Sequence, residues 1–392
     1  MLYKHNSKYK HIKAFTDCFL TNALTITCLF RIYFAAMKNF LFPLIILFVS
    51  KAFAQTPIAD STQYAGEKHF KNIQQLTFGG DNAEAYFSFD GKYIIFQKTN
   101  PKEGLPCDQM FIGKVPKLGE KFTYNLVSTG KGRTTCGAFL KDGKHFIYAS
   151  THLASDTCPP TPDRKKYGNK YIWPLYNSYD IFMADVNGKI VKQLTKEKGY
   201  DAEGTISPDG KTMIFTSDRD GDIELYLMNL KTLKVKRITH ALGYDGGACF
   251  SPDGKKITWR ASRPKTEAEI KEYKELLVEH LVAPTNMEVY IANADGSNPQ
   301  QVTKYGQANW APGFMPDSKR IIFASNHEHK RGFPFNMYTI NLDGTNLAKI
   351  SRDKGFDAFP MFSPNGKKII FCSNRNNGGT RDTNIFLADW VE

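Results

Sequence analysis

Six polar residues recur at one position in this chain. Asn82, Thr134, Asp201, Asp245, Asn309 and Asp357 each stand five residues ahead of the apolar residue that closes a short segment such as "GYDAEGTI" or "GFDAFPMF". Glu84 and Glu203 follow two of them at an offset of two. If such side chains converge they would suit a divalent cation or the basic group of a ligand, because hard cations take carboxylate and amide oxygens. The plainer use is local, since Asp, Asn and Thr close turns by bonding nearby backbone.

A second set of chemical residues lies further along. "NHEHK" presents His327, Glu328 and His329, which with facing carboxylates could ligate a metal and activate water. The spacing is not the i, i+4 pair of a helical HExxH, and His152 and His240 add no fixed ligand set, so ordinary surface histidines are the simpler reading. Arg260 and Arg263 could clamp a carboxylate or hold a neighbouring insertion in place. "DGKT" at Asp209 to Thr212 lacks the earlier glycine of a phosphate loop. "DRDGD" at Asp218 to Asp222 has Asn229 where a calcium loop needs Glu. No GxSxG nucleophile elbow occurs.

The scaffold for these residues is written in repeats. "GYDAEGTISPDGK" at Gly199 is nearly respelled as "GYDGGACFSPDGK" at Gly243, and related turns end at Lys92, Lys144, Lys319 and Lys367, at intervals of 44 to 67 residues. Units of this length that cannot bury an apolar face alone stack on one another. Each turn is followed by a β-branched and aromatic run ("TMIFTSD", "KIIFCSN"), a second run ("ELYLMNL", "NIFLADW") and a third ending in Thr or Ser. With the strand ahead of the turn this predicts four strands per unit and a six-bladed all-β propeller. "QQLT" at Gln74 to Thr77 precedes the first turn while the chain ends on "NIFLADWVE", so an N-terminal strand should complete the last blade and remove the open edges.

In such a ring the SPDGK turns share one face with the turns between third and fourth strands. The loops between second and third strands share the other face with the lead-ins to the first strands. The insertions fall on that second face, where binding residues concentrate. One is "THLASDTCPPTPDRKKYGNKYIWPLYNSYD" in blade two, whose Trp173 and Tyr176 serve either a ligand or the loop's own packing. Another, in blade four, starts "RPKTEAEIKEYKELLVEHLVAP" and reads as a helix, with Thr266 and Glu269 at capping-box spacing and Ile270, Tyr273, Leu276, Leu277 and Leu281 on one side before Pro284.

The "SPDGK…IIFTSDRDGD…ELYLMNL…KRIT" grammar resembles the repeat of the TolB propeller and its relatives, over Gln74 to Glu392. The resemblance implies the fold strongly and the function weakly, because propellers host unrelated tasks. TolB carries a small α/β domain ahead of its propeller, and the residues before Gln74 leave no room for one. The repeats also resemble those of oligogalacturonate lyases, which implies a second function class.

"MKNFLFPLIILFVSKAFAQ" has the three parts of a secretory signal, with cleavage expected after Ala54. Residues 1–36 then read as an over-long start, 37–54 as the signal, 55–73 as a lead-in and 74–392 as the propeller. An uncleaved anchor stays open. Removing residues 1 to 54 lowers the formal charge from +13 to +7 and the cysteines from seven to five. This mild charge does not call for nucleic acid. Cys249 and Cys372 fall in strands, and Cys107, Cys136 and Cys158 are the disulfide candidates, with Cys107 to Cys158 preferred.

The expectation is a periplasmic or secreted, monomeric binding or scaffold propeller, without a transmembrane span once the signal is cleaved. It would take an envelope protein, peptide or glycan on the insertion-rich face, with no firmly implied cofactor beyond an optional divalent cation at the funnel mouth. The alternative is a metal-assisted lyase or hydrolase working on an acidic sugar or peptide in the central funnel.

Overall fold

A computed structural model describes residues 62–329 and 332–392; the expected signal at 37–54, the stretch 1–36 and the first part of the lead-in lie outside the described residues. Six four-stranded antiparallel sheets follow one another along the chain. Blade one is Asp81–Phe87, Tyr93–Asn100, Leu105–Lys114 and Tyr124–Leu126. Blade two is Thr134–Phe139, His145–Ser150, Asp180–Asp185 and Ile190–Gln193. Blade three is Asp201–Ile206, Thr212–Ser217, Glu224–Asn229 and Val235–Arg237. Blade four is Asp245–Phe250, Lys256–Ala261, Glu288–Asn293 and Gln300–Gln301. Blade five is Asn309–Phe314, Arg320–Ser325, Asn336–Asn341 and Ala348–Lys349. Blade six is Asp357–Phe362, Lys368–Ser373 and Asn384–Trp390, completed by Phe70–Gln75 from the N-terminal side.

The second strands read as unbroken apolar runs because both faces are covered. Ile94, Ile95 and Phe96 are all fully buried, as are Ile321, Ile322 and Phe323, and each blade packs its neighbours on either side. The repeated turn has a repeated cause. Ser207 donates to Asp209, Asp209 accepts from the Lys211 amide, the Ser207 hydroxyl accepts from the Thr212 amide, and Gly210 takes the left-handed conformation at φ 79°. Ser251, Asp253 and Gly254 do the same in blade four.

The closing strand starts at Phe70, four residues ahead of the boundary expected at Gln74. Its register slips between Lys71 and Gln74, with Asn72 at φ 52°, so Phe70 and Ile73 both face the core and the two-residue alternation is broken.

The helix of blade four, α1, spans Glu267–Val278 with the expected capping box on Thr266 and Glu269. Beyond it, Leu281–Val282 pairs with Trp173–Pro174, joining the insertions of blades four and two in a small two-stranded sheet. Ile172, Leu276 and Leu281 pack beneath this junction, and Lys170 meets Glu272 across it at 2.5 Å. The two insertions therefore form one lid spanning blade three.

Candidate functional site

The recurring Asx or Thr residues do not ring the channel mouth. Asn82, Thr134, Asp245, Asn309 and Asp357 are fully buried and Asp201 nearly so. Five head their first strands and Asn82 stands second in its own, behind Asp81, and the adjoining backbone shows their use. The amides of Asp201, Asp245, Asn309 and Asp357 donate to Tyr179, Ile223, Met287 and Phe335 at the start of the preceding blade's third strand, and that of Asn82 to Thr383. The side chains extend this latch: Asn82 donates to the Thr383 carbonyl, Asn309 to that of Met287, and the Thr134 hydroxyl to that of Asp108. The expected convergence of carboxylates at the mouth is thus corrected. The Asn and Thr side chains so placed supply donors that carbonyls of the preceding blade need, whereas the Asp side chains accept, chiefly from arginines of their own blade.

Three latches are ionic. Asp201 pairs with Arg219 at 2.8 Å, Asp245 with Arg263 at 2.6 Å and Asp357 with Arg375 at 2.8 Å. Burial raises the carboxyls of Asp201 and Asp357 and takes Asp245 to about 7, each against the opposing pull of its arginine. Arg375 also binds both Glu67 oxygens and the Thr62 carbonyl, fastening the segment ahead of the closing strand to blade six.

In blades two and five a histidine replaces the arginine. His327 Nδ1 lies 2.9 Å from Ser325 Oγ, which donates to Asn309, while the ring stacks on Tyr305 and packs on Tyr338. His152 repeats this with Ser150 and Phe182. The Asn309–Ser325–His327 set looks like a nucleophile arrangement, but Ser325 is 1% exposed and its counterparts Ser217 and Ser373 support Arg219 and Arg375 in the same way. Glu328 turns aside to Lys349 at 2.6 Å. Among the described residues, no three His, Cys, Asp or Glu side chains are grouped to hold a metal ion.

The residues that do reach the channel stand two positions further on. Glu84, Cys136, Glu203, Gly247, Ala311 and Phe359 all adopt left-handed backbone, with φ between 48° and 62°, and each sits at a slip of register between first and second strands. A bulge repeated in every blade turns one residue per blade toward the throat, with a side chain in five blades and bare backbone at Gly247 in blade four. Sequence reasoning named Glu84 and Glu203 as neighbours of the ring and passed over the bulge. The signal was their common offset of two from the latch residue.

The throat is polar on one side and apolar on the other. Glu203 is satisfied by Arg260, Tyr244, Thr216 and the Gly247 amide. Glu84 accepts from Cys136 Sγ at 2.9 Å and from Tyr86 at 3.3 Å, and its carboxyl is raised, chiefly by burial; it is deep in the protein yet keeps part of its surface on the channel. Ala311, Pro312, Phe359 and Met361 form the opposite wall, and the cavity left between is ≈ 40 Å³. Arg260 is held from above by Trp173 of the lid, 5.2 Å from its ring centre.

From the lid an aromatic run crosses the same face. Tyr171 and Trp173 pack on Trp310, which stacks on Phe335 at 4.6 Å; Phe333 and Phe356 pack against Phe335, and Phe356 leads to Phe359 in the throat. Phe333 is 63% exposed and Tyr171 39%. Trp173 was singled out from sequence; the others were not, being scattered over three blades. Of the cysteines, Cys107 and Cys158 form a disulfide that ties the blade two insertion to blade one, while Cys136 remains a free buried thiol.

The pattern of the TolB beta propeller domain matches residues 174–282 and 280–383. A TolB-type protein of Agrobacterium tumefaciens superposes with a TM-score of 0.52 at 17% identity, over 80% of this chain and 91% of that one. TolB of Acinetobacter baumannii gives 0.51 at 19% identity, over 71% of this chain and 56% of its own length. An oligogalacturonate lyase of Vibrio parahaemolyticus gives 0.48 at 13% identity, over 81% and 93%. At these identities the two TolB likenesses speak for the fold alone. With over half its length matched by the family pattern, and six blades closed by an N-terminal strand, the chain belongs to the TolB β-propeller domain family.

Proposed function

We propose that this protein is an exported binding module that takes a protein, peptide or envelope glycan on its insertion-bearing face. The observation that carries this reading is the aromatic run from Tyr171 to Phe333, rigidly packed from below and open to solvent at its two ends. Aromatic side chains held in one orientation bring large contact area at little entropic cost, and they dominate the energetics of recognition surfaces. The competing reading of a metal-assisted lyase or hydrolase in the funnel draws less support. The cavity of ≈ 40 Å³ is far below the roughly 300–1,000 Å³ of small-molecule sites, and Arg260 and Glu203 beside it are already paired with each other.

The test uses the mature domain from Gln55, cross-linked in envelope extract and compared with F333A/Y171A and with K211A/K255A on the opposite face. Capture of the same species by wild type and the lysine variant, but not by the aromatic variant, is expected. Capture indifferent to face, or turnover of an acidic oligosaccharide by the wild type, would overturn the reading. N-terminal sequencing of the exported protein should begin at Gln55.

A further inference from the structure

The face opposite the lid carries charge that neither the latches nor the aromatic run uses. It is made of two sets of turns joined by backbone: the amides of Val115, Val186 and Leu230, which open the turns between third and fourth strands, donate to the carbonyls of Lys92, Lys144 and Lys211 in the SPDGK-type turns. Turns of neighbouring blades also meet, Gly91 lying against Pro364 and Lys141 donating to the Pro208 carbonyl at 2.7 Å. They form one continuous surface, and its charge is uneven. In blades one to three the turns at 88–92, 115–123, 140–144, 186–189, 207–211 and 230–234 hold nine lysines against four acidic residues. In blades four and five those at 251–255, 294–299, 315–319 and 342–347 hold two lysines against four.

Pairing narrows the set. Lys92, Lys117 and Lys211 meet acids of their own turns at 3.0, 3.9 and 3.9 Å, whereas Lys121, Lys144, Lys189, Lys231 and Lys234 are exposed and form no ion pair among the described residues. Apolar side chains stand among them. The Glu120 amide donates to the Lys117 carbonyl and the Lys117 amide to Glu120 Oε2, both at 3.0 Å, with Gly119 at φ 80°, while Gln74 braces the Glu120 carbonyl at 2.6 Å. Leu118 is the tip of this fixed turn and is 65% exposed; Tyr93 and Val186, beside the neighbouring turns, are 44% and 37% exposed. A lone exposed leucine is ordinary. One held outward by a braced turn among unpaired lysines joins the two attractions of an anionic bilayer, cations for the headgroups and apolar surface for the acyl boundary. A soluble polyanion would use the lysines and leave the apolar tips without a role. We infer that the turn face of blades one to three docks on an anionic lipid surface, with Leu118 entering the headgroup region. Docked in this way, the propeller turns its insertion-bearing face away from the lipid, whatever that face binds.

The experiment is flotation of residues 55–392, which contain the whole closed ring, with vesicles of phosphatidylcholine alone and of phosphatidylcholine with about one-third phosphatidylglycerol. Binding to the anionic vesicles and not to the neutral ones is expected. K121Q/K189Q/K234Q should weaken it by about a hundredfold, at about fivefold for each lysine near the surface. K196Q/K198Q/K354Q removes the same charge from exposed lead-ins of the insertion-bearing face and should change binding by less than about threefold. L118S should weaken it by about fivefold, since apolar burial adds to the electrostatic attraction. Every substituted side chain is exposed, so the melting profile should stay that of wild type. Equal weakening by the two lysine triples would make binding a property of net charge and overturn the assignment to this face. Binding unchanged in L118S, or matched charge for charge by soluble polyglutamate, would replace the lipid with a general polyanion. No binding to anionic vesicles at low salt would overturn the inference outright.

Discussion

Blades three, four and six and blades two and five perform one mechanical task with different chemistry. In the first group an Asp at the head of the first strand meets an Arg two residues past the second, as Asp201–Arg219, Asp245–Arg263 and Asp357–Arg375. In the second group a Thr or Asn stands with a Ser and a His, as Asn309, Ser325 and His327. Both tie the head of a first strand to the segment just past the second strand of the same blade, while in blades three to six the backbone amide of the head residue reaches the preceding blade. The difference teaches that the carboxylates of this propeller are structural. They are distributed as one of two interchangeable latches, and the binding residues are instead sought among the aromatic and neutral polar groups at the bulge and the lid. An ionic latch also gives an arginine spare hydrogen bonds, which blade six uses to hold the N-terminal segment.

The largest effect should come from the latch with the most connections. R375A leaves the buried carboxylates of Asp357 and Glu67 without a counter-charge, and breaking a buried ion pair from one side costs about 3–5 kcal/mol. Denaturant unfolding should show a loss of that size, together with faster proteolysis between Thr62 and Phe70. A loss no greater than that of a surface substitution would remove the distinction between the two latch types.

The ionic latch of blade four should make stability depend on pH. Burial raises Asp245 above its usual range to about 7, so the folded state holds a proton that the unfolded chain releases near pH 4. Its contribution is present below the unfolded value and is lost as pH rises through about 7, an effect of a few kcal/mol. D245N should flatten the fall in unfolding free energy between pH 4 and 7 relative to wild type. An unchanged slope would mean that Arg263 holds Asp245 ionised throughout.

Exchanging one latch for the other sharpens the comparison. D201N alone strands Arg219 at a site where its guanidinium is mostly covered, and should cost about 1–3 kcal/mol. D201N/R219H rewrites blade three in the grammar of blade five and should recover most of the loss, ending within about 1 kcal/mol of wild type. A double variant as weak as the sum of its parts would show that each latch is fitted to its own blade.

The blades, their order and their closure were legible because turn chemistry and apolar runs are local and repeat. The helix was legible for the same reason, through Thr266, Glu269 and the apolar stripe from Ile270 to Leu277, although Leu281, expected on the same face, lies beyond the helix in the strand Leu281–Val282. The site was legible only in part. Glu84, Glu203 and Arg260 were picked out, but placing them required the bulge, and a left-handed Glu or Phe carries no sequence signature, whereas Gly does. The latch residues were assigned to the channel because the strand was taken as regular from its first residue. The pairing of Leu281–Val282 with Trp173–Pro174 joins segments a hundred residues apart, and two-residue strands leave no periodicity to read.

The smallest expected effect has the opposite sign to that of Asp245. Burial lowers the pKa of His327, so its neutral ring is the form that the folded blade prefers. That contribution is present above the unfolded value near 6.5 and is lost as pH falls through the folded one. H327N keeps a polar side chain beside Ser325 but gives up the contacts with Tyr305 and Tyr338, and should cost about 0.5–1.5 kcal/mol at pH 8. Below pH 6 the gap between variant and wild type should narrow, since wild type alone then bears the cost of a charged ring. Melting curves of wild type, D245N and H327N across pH 4 to 8 therefore separate the two latches by the direction of their slopes. If H327N loses a bound metal together with its stability, the histidine is a ligand and the equivalence with Arg219 and Arg375 fails.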